Sequence, residues 1–570
     1  MTDDTKSGLR KGLTNYGDKE FSLFLRRVFI KAMGYSDDAL DRPIIGIIDT
    51  YSDFNPCHGN VPELVEAVKR GVMLAGGMPM AFPTISIHES FAHPTSMFLR
   101  NLMALDTEEM IRAQPMDAVV VIGGCDKTIP AQLMGAASAN IPAIVVPTGP
   151  MLVGHYQGEV LGACTDCRRL WGQFRAGDRT EGEMDEISGR LAPTKGTCMV
   201  MGTASTIACM VEALGMSLPG SATIPATHAD RIRVAEASGA AAIMLAREGL
   251  TPKTIMTKAA IRNALVVLQA IGGSTNGLVH LTAIAGRLGF EIDLEEFDRM
   301  GLDVPVLIDL KPSGQHYMEH FHWAGGMPRL FKELGELIDT SHPTVSGGSL
   351  ADSAALADMV KGQDVIRSRA NPIHQGGGLA VLRGNLAPRG ALIKRSAASS
   401  ALLQHEGRAV VFDSLEDMAN RIDSDDLDVA ADDVLVLRNA GPVGAPGMPE
   451  AGYIPIPRKL ARAGVKDMVR MSDARMSGTA FGSIVLHITP EAAVGGPLAL
   501  VRNGDRIRLD TAARRVDLLV SDEELARRKA EWVAPAEPAG SERGYLRLFL
   551  DQVTQADQGC DFAFCIPKAG

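Results

Sequence analysis

Three things are scarce in these 570 residues, and each scarcity closes off a class of function. Basic residues are the first: 57 Lys and Arg against 68 Asp and Glu leave a formal net charge of −11, and the pI is near 5.7. That balance lacks the counter-charge that a nucleic acid or an anionic membrane surface demands, so neither is expected as a partner. Long apolar runs are the second, since none approaches the roughly 18 to 20 residues that span a bilayer. The opening residues, Met1 to Lys6, also lack the basic-then-apolar order of a secretory signal, and the expectation is a cytoplasmic protein. Cysteine is the third: eight in so long a chain are too few for a disulfide scaffold, which leaves thiols as ligands, nucleophiles or core residues.

What is present is an ordinary globular composition, 46% hydrophobic and 22% charged, in a chain too long for one hydrophobic core. From about 40 to 250, strand-like apolar runs alternate with helical patterns such as Val61 to Ala75, Thr107 to Ala113 and Met201 to Leu214. Three runs, Pro43 to Ile48, Met80 to Ile87 and Asp117 to Ile122, each end in a loop with metal-ligand side chains: Cys57-His58, His88-Glu89 and Cys125-Asp126-Lys127. Ile141 to Pro147 fits a further buried strand, and Ala240 to Ala246 is a candidate for another. Strand and helix in alternation predict a parallel sheet, and loops leaving the carboxyl ends of its strands converge on one crevice.

Residues 251 to 340 read as mainly helical, with Lys258 to Ala270 and Thr282 to Leu288 the clearer segments. After about 375 the pattern becomes short strands with turn signals: Ala409 to Phe412, Asp433 to Leu437, Ser483 to His487, and Leu498 to Val501 joined through Asn503-Gly504 to Arg506 to Leu509. An Asn-Gly pair between alternating runs predicts a hairpin. The expected fold class is α/β: a parallel-sheet α/β/α domain over 1–375, a β-barrel-like domain over 376–545, and a tail over 546–570. His374 to Gly378 marks the junction or the first loop beyond it.

Several motifs carry chemistry and a bland alternative at once. Cys164-Thr165-Asp166-Cys167 has metal or redox spacing, yet a lone CxxC is also compatible with incidental thiols. His316, His320 and His322 lack the glutamate of a zinc-protease pattern and read as solvated or hydrogen-bonded histidines. Gly272 to Gly277 lacks the spacing and the lysine of a nucleotide loop and reads as a tight turn before a helix. The loops Gly441 to Glu450 and Ser472 to Thr479 are either barrel turns or site loops. Cys560 and Cys565, near the end, read as packing thiols.

Taken in order, Asn55-Pro56-Cys57-His58, Gly123 to Thr128, Gly196 to Ala204, Pro446 to Glu450 and Ser472 to Gly478 resemble the dihydroxy-acid and 6-phosphogluconate dehydratase family, across some 420 residues and in sequence order. The resemblance implies a [2Fe-2S] cluster on Cys57, Cys125 and Cys198, which would make the CxxC a decoy. Three thiolates leave one iron position open, where an electron-transfer cluster has four ligands. It also implies Mg²⁺ on Glu89, Asp126, Glu450 and a carbamylated Lys127; on the residues alone, an unmodified lysine paired with a carboxylate reads as well. Ser477 is the implied base and Thr479 its neighbour that orients it or the substrate. A homodimer or dimer of dimers is implied, with the site between the two domains. The implied reaction removes water from a 2,3-dihydroxy acid to give a 2-keto-3-deoxy acid. Gly-Thr-Cys-Met around Cys198 and Phe-Asn-Pro-Cys-His-Gly around Cys57 look more like the aldonic-acid branch than like the branched-chain biosynthetic enzymes. The alternatives are a dihydroxy-acid or promiscuous dehydratase and, from another class, a redox iron-sulfur protein built on the CxxC.

Overall fold

The protein is described by a computed structural model covering residues 7–13 and 15–567. Strands β1 (Ile44–Asp49), β2 (Met78–Pro83), β3 (Ala118–Gly123) and β4 (Ala143–Pro147) form a parallel sheet in the order β2-β1-β3-β4. The residues of β1, β3 and β4 are mostly β-branched and buried on both sides, as a sheet covered by helices on each face requires, whereas the edge strand β2 has no β-branched residue and is partly exposed. The chain leaves β1 toward β2 on one side and returns to β3 on the other, so the loops after β1 and β3 diverge and open a crevice at that point. Cys57 follows β1 in the short turn Pro56–His58, and Cys125 follows β3. The second expected strand, Met80 to Ile87, stops at Pro83, and the remainder of the run, Thr84 to Ile87, is part of the loop that delivers Glu89.

Ala240 to Ala246 is not a strand but part of the helix Ala229–Glu248. Small apolar residues there serve close helix packing: a Cβ at Gly239 would lie 2.3 Å from the Val68 carbonyl oxygen, and one at Gly71 1.9 Å from that of Glu236. The following region is helical as expected, including Lys258–Ala270 and Thr275–Arg287.

A small hairpin, β5 (Gly154–Tyr156) and β6 (Glu159–Leu161), precedes the second sheet. That sheet has eight strands, β7 (Ala380–Leu382), β8 (Gly390–Ile393), β9 (Gln404–Phe412), β10 (Val434–Leu437), β11 (Arg470–Ser472), β12 (Ile484–Thr489), β13 (Arg506–Asp510) and β14 (Arg515–Leu518), in the order β14-β13-β9-β10-β11-β12-β8-β7. A bridge between Arg383 and Arg515 brings its two edges together, which makes it barrel-like. Alternation sets the inside: Val434 and Val436 join Val411, Met471 and Ile507 in the interior cluster, and Leu435 and Leu437 pack outward with Phe412 and Ile454.

Leu498 to Val501 differs from expectation, lying mostly in the 3₁₀ turn Pro497–Leu500. Gly504, at φ +90°, with Asp505 N–H donating to the Arg502 carbonyl, leads into β13, whose hairpin partner is β14. Pro497 explains why: it has no N–H for a ladder and pre-sets a helical turn. His374 to Gly378 bonds back to the first part of the chain through Val306 and Gln269 before β7 begins. The tail does the same, with Asp561 paired to buried Arg287 at 2.6 Å and Cys560 packed on Met97 and Met448. Among the described residues, no helix is long and apolar enough to cross a membrane.

Candidate functional site

Two groups of side chains meet where the three β-strand loops converge with two loops of the barrel. The first is acidic. Carboxylate oxygens of Glu89, Asp126 and Glu450 lie within 4.8 Å of one another. Lys127 is fully buried among them, its Nζ 2.5 Å from Asp126, 3.4 Å from Glu89 and 4.0 Å from Glu450. Lys127 also stands at the N-cap position of the helix Thr128–Ala139, whose positive end therefore lies beside the same group. Arg475 closes the other side, donating to Glu450 at 2.5 Å and to both Glu89 oxygens at 3.0 Å. Burial pushes Glu89 upward, but Arg475 and Lys127 more than offset it and hold its carboxyl below the usual range. At Glu450 burial prevails and the carboxyl is raised. Oxygen donors of this number and spacing suit a hard divalent cation.

The second group is sulfur. Ligand atoms of Cys57, His88 and Cys125 lie within 4.8 Å of one another. Cys198 stands beside them, with Cys164 Sγ 3.7 Å from its own sulfur. Contact with Cys125, then burial, pushes the Cys57 thiol well up, and contact with Cys164, then burial, does the same to Cys198. Thiols crowded this way ionise together only around a cation, so the donor set fits a metal cluster. The two groups touch, since Cys125 Sγ lies 3.5 Å from Asp126 Oδ1.

The crevice is held open by backbone packing. A Cβ at Gly124 would lie 1.8 Å from Thr148 Oγ1 and 3.0 Å from the Cys57 carbonyl oxygen, so only glycine lets the Cys125 loop pass that close. His58, adjacent to Cys57 in sequence, is no ligand here. Its Nδ1–H donates to the Thr50 carbonyl at 2.8 Å, and Nε2 accepts from the N–H groups of Gly124 and Cys125 at 3.0 and 3.1 Å. Burial lowers its pKa to about 4, which keeps the ring neutral and able to accept. It ties the Cys57 loop to the Cys125 loop.

Ser477 and Thr479 share a hydrogen bond of 2.8 Å between their hydroxyls. Their loop rests on the turn before the helix Thr275–Arg287: Asn276 Nδ2 donates to the Met476 carbonyl at 3.0 Å, and a Cβ at Gly478 would meet Ser274 Cβ at 2.6 Å. The Gly272 to Gly277 turn is thus the expected tight turn, and it also positions this loop. The Thr479 carbonyl accepts from Thr165 Oγ1 at 2.8 Å. From Arg475 on the carboxylates to Thr479 beside the Cys164 segment, five residues of one loop link both groups.

Lys394 is fully buried, and its Nζ donates to the Gly478 carbonyl at 3.3 Å. Burial lowers its pKa to about 7. A lysine depressed in this way adds stability at high pH that is lost as pH falls from its unfolded value through about 7. Lys394→Met is therefore expected to raise Tm at pH 7 by a few degrees, with the gain shrinking as pH rises toward 10. Thermal scans of both proteins across pH 7 to 10 check the gain and its decline.

All nine residues singled out from the sequence, Cys57, Glu89, Cys125, Asp126, Lys127, Cys198, Glu450, Ser477 and Thr479, fall in or beside these two groups. Sequence reasoning missed Arg475, which lay in plain view inside Ser-Asp-Ala-Arg-Met-Ser-Gly, and set aside Cys164. His316 and His322 stand elsewhere, beside Asp364 at 3.2 Å and Thr223 at 3.2 Å respectively. His316 precedes the helix Met318–Trp323 that carries the other two.

The chain matches the family model for the dihydroxy-acid/6-phosphogluconate dehydratase N-terminal region over residues 42–353 and that for the C-terminal region over 364–560. An L-arabinonate dehydratase of Rhizobium leguminosarum bv. trifolii is 48% identical over 96% of this chain and 95% of its own length. A 6-deoxy-6-sulfo-D-gluconate dehydratase of Pseudomonas putida is 44% identical over 93% and 91%. A dihydroxy-acid dehydratase of Moorella thermoacetica is 41% identical over 94% and 97%. With both halves matched and relatives of this similarity along nearly its whole length, the chain belongs to the dihydroxy-acid/6-phosphogluconate dehydratase family and is a hydro-lyase.

Proposed function

We propose that this enzyme dehydrates a sugar acid, a 2,3-dihydroxy carboxylate of the aldonate class, to its 2-keto-3-deoxy acid, using a [2Fe-2S] cluster and Mg²⁺. The observation that supports the reading is the Arg475 to Thr479 loop, which carries Ser477: its Arg475 end donates to Glu89, and its Thr479 end accepts from Thr165, next to Cys164.

Cys57, Cys125 and Cys198 would hold the cluster; Glu89, Asp126, Glu450 and a carbamylated Lys127 would hold Mg²⁺. When bound, the two supply Lewis acidity, the cation at the carboxylate and 2-hydroxyl and the cluster at the departing 3-hydroxyl. Charge supports the lysine modification. With the three carboxylates ionised, Lys127 and Arg475 leave the pocket one negative charge in excess. A divalent cation added beside an ammonium would reverse that sign and set two cations against each other, whereas with a carbamate the excess stays at one negative charge. The positive end of the helix Thr128–Ala139 favours the anion too.

Ser477 Oγ removes the proton from C2. A hydroxyl is a weak acid, so its anion needs the nearby positive charge and the Thr479 hydroxyl at 2.8 Å. The C2–H electron pair forms the C2=C3 bond as C3–O breaks, the departing hydroxide takes the proton that Ser477 accepted and leaves as water, and the resulting enol tautomerises to the keto acid. Two relatives named for sugar-acid substrates, together with the Gly-Thr-Cys-Met and Phe-Asn-Pro-Cys segments, favour an aldonate over 2,3-dihydroxyisovalerate. The exposed apolar residues Phe21, Phe24, Val28 and Phe29 on the helix Lys19–Ala32 support a homo-oligomer, and reduced thiols suit a cytoplasmic setting.

The test is a keto-acid assay of anaerobically prepared enzyme over a panel of aldonates, glycerate and 2,3-dihydroxyisovalerate, with visible absorbance followed in the same samples. Pentonates or hexonates should be turned over fastest by brown protein. Dihydroxyisovalerate as the best substrate would overturn the substrate class, and full activity in colourless, iron-free protein would overturn the cofactor.

A further inference from the structure

The CxxC that the family reading leaves idle is not remote from the thiol group. Cys164 Sγ lies 3.7 Å from Cys198 Sγ. Four thiolates at about 2.3 Å around one tetrahedral metal stand about 3.8 Å apart, so this pair has the span of two ligands on one iron. The sulfurs of Cys57 and Cys125 lie within 4.8 Å of each other and form a second pair, with a His88 ring nitrogen within the same distance of both. Two thiol pairs are the ligand complement of a fully cysteinyl [2Fe-2S] cluster. One further contact matters: Thr165, the next residue after Cys164, donates to the carbonyl of Thr479, so the segment bearing Cys164 is fastened to the loop bearing Ser477.

We propose that Cys164 is a displaceable fourth thiolate, which occupies the position beside Cys198 while the site is empty of substrate and yields it when substrate arrives. The inference rests on the cluster reading above. The exchange is heterolytic: the bond to Cys164 opens with its electron pair left on sulfur, the substrate hydroxyl brings its own lone pair, and neither iron changes oxidation state. An enzyme built this way shields its reactive iron from dioxygen between turnovers, and the Thr165 bond moves Ser477 and the departing thiolate as one unit.

The test is Mössbauer spectroscopy of ⁵⁷Fe-loaded wild type, Cys164→Ala, Cys164→Ser and Cys167→Ser, prepared without oxygen, with iron counted per chain. Resting wild type and Cys167→Ser should show two irons of near-identical, all-sulfur signature. Cys164→Ala should show one iron with the larger quadrupole splitting of mixed sulfur and oxygen ligation, and wild type given an aldonate should convert to that pattern. The cluster of Cys164→Ala should also bleach several-fold faster in air. If resting wild type already shows one distinct iron and Cys164→Ala leaves it unchanged, the proposal is wrong while the cluster stands. Wild type without iron removes the cluster itself. Should both Cys164 variants fail to fold, the wild-type spectra with and without aldonate decide alone, and an unchanged pattern refutes the exchange.

Discussion

Ser477→Ala should lower turnover by about 10³-fold or more, within the range by which a positioned general base accelerates proton transfer, and leave substrate affinity nearly intact. The local structure makes this a clean substitution. Gly478 is pressed against Ser274 and Asn276 holds the Met476 carbonyl, so neither neighbour depends on the Ser477 hydroxyl for its place. What disappears is one oxygen whose partners are Thr479 Oγ1 and, at 3.4 Å, the Thr479 N–H that donates to it. Thr479→Val should cost less, about 10 to 100-fold, because it removes the partner and keeps the base. Two measurements separate the base role from a merely structural one. Keto-acid formation reports turnover, and exchange of the substrate C2 hydrogen with deuterium from solvent reports proton removal alone. A base assignment requires both to vanish in Ser477→Ala while the aldonate still perturbs the visible spectrum. Exchange that persists at the wild-type rate would move the base to another residue.

The architecture was readable where physics acts locally. Runs such as Ile44 to Ile48 and Val119 to Ile122 must be buried on two faces, and Val434 to Leu437 alternates because one side faces a barrel interior. Failures came where a local pattern has two physical solutions. Ala240 to Ala246 is apolar whether it fills a strand or lets two helices meet at glycine, and the deciding partner, Gly71, lies far off in sequence. The acidic residues were picked out through motif order and family likeness; spacing alone does not bring Glu89 to Glu450. Arg475 was passed over for the same reason: a guanidinium that neutralises two carboxylates, one of them 386 residues away, leaves no mark in any short window. Cys164 was visible in its CxxC and was set aside because the family resemblance gave the cluster to three other cysteines; its partner Cys198, 34 residues on, shows only in the structure.

Lys127→Ala should abolish activity under ordinary conditions and regain part of it when a small carboxylate such as formate or acetate is added with Mg²⁺. The substitution deletes a fully buried side chain and leaves Glu89, Asp126 and Glu450 facing Arg475 alone. Removing one partner from a buried ion cluster costs about 3 to 5 kcal/mol, so without metal the variant should melt well below wild type. If Lys127 acted only as a cation, Mg²⁺ alone would replace its charge and restore both stability and whatever activity the residue supports. A lysine that acts as a carbamate predicts a different split. Mg²⁺ alone then restores much of the melting temperature, because it cancels carboxylate repulsion, but activity returns only when a carboxylate fills the space left by the side chain and supplies the missing oxygen ligand. In wild type the same chemistry makes activity depend on dissolved bicarbonate: protein dialysed against CO₂-free buffer with a chelator should lose turnover and recover it with bicarbonate and Mg²⁺ together, not with either alone. Intact-protein mass spectra under native conditions should follow the change by the mass of one CO₂. Full recovery with Mg²⁺ alone in both proteins would return Lys127 to the role its unmodified contacts describe, an ammonium that balances three acids.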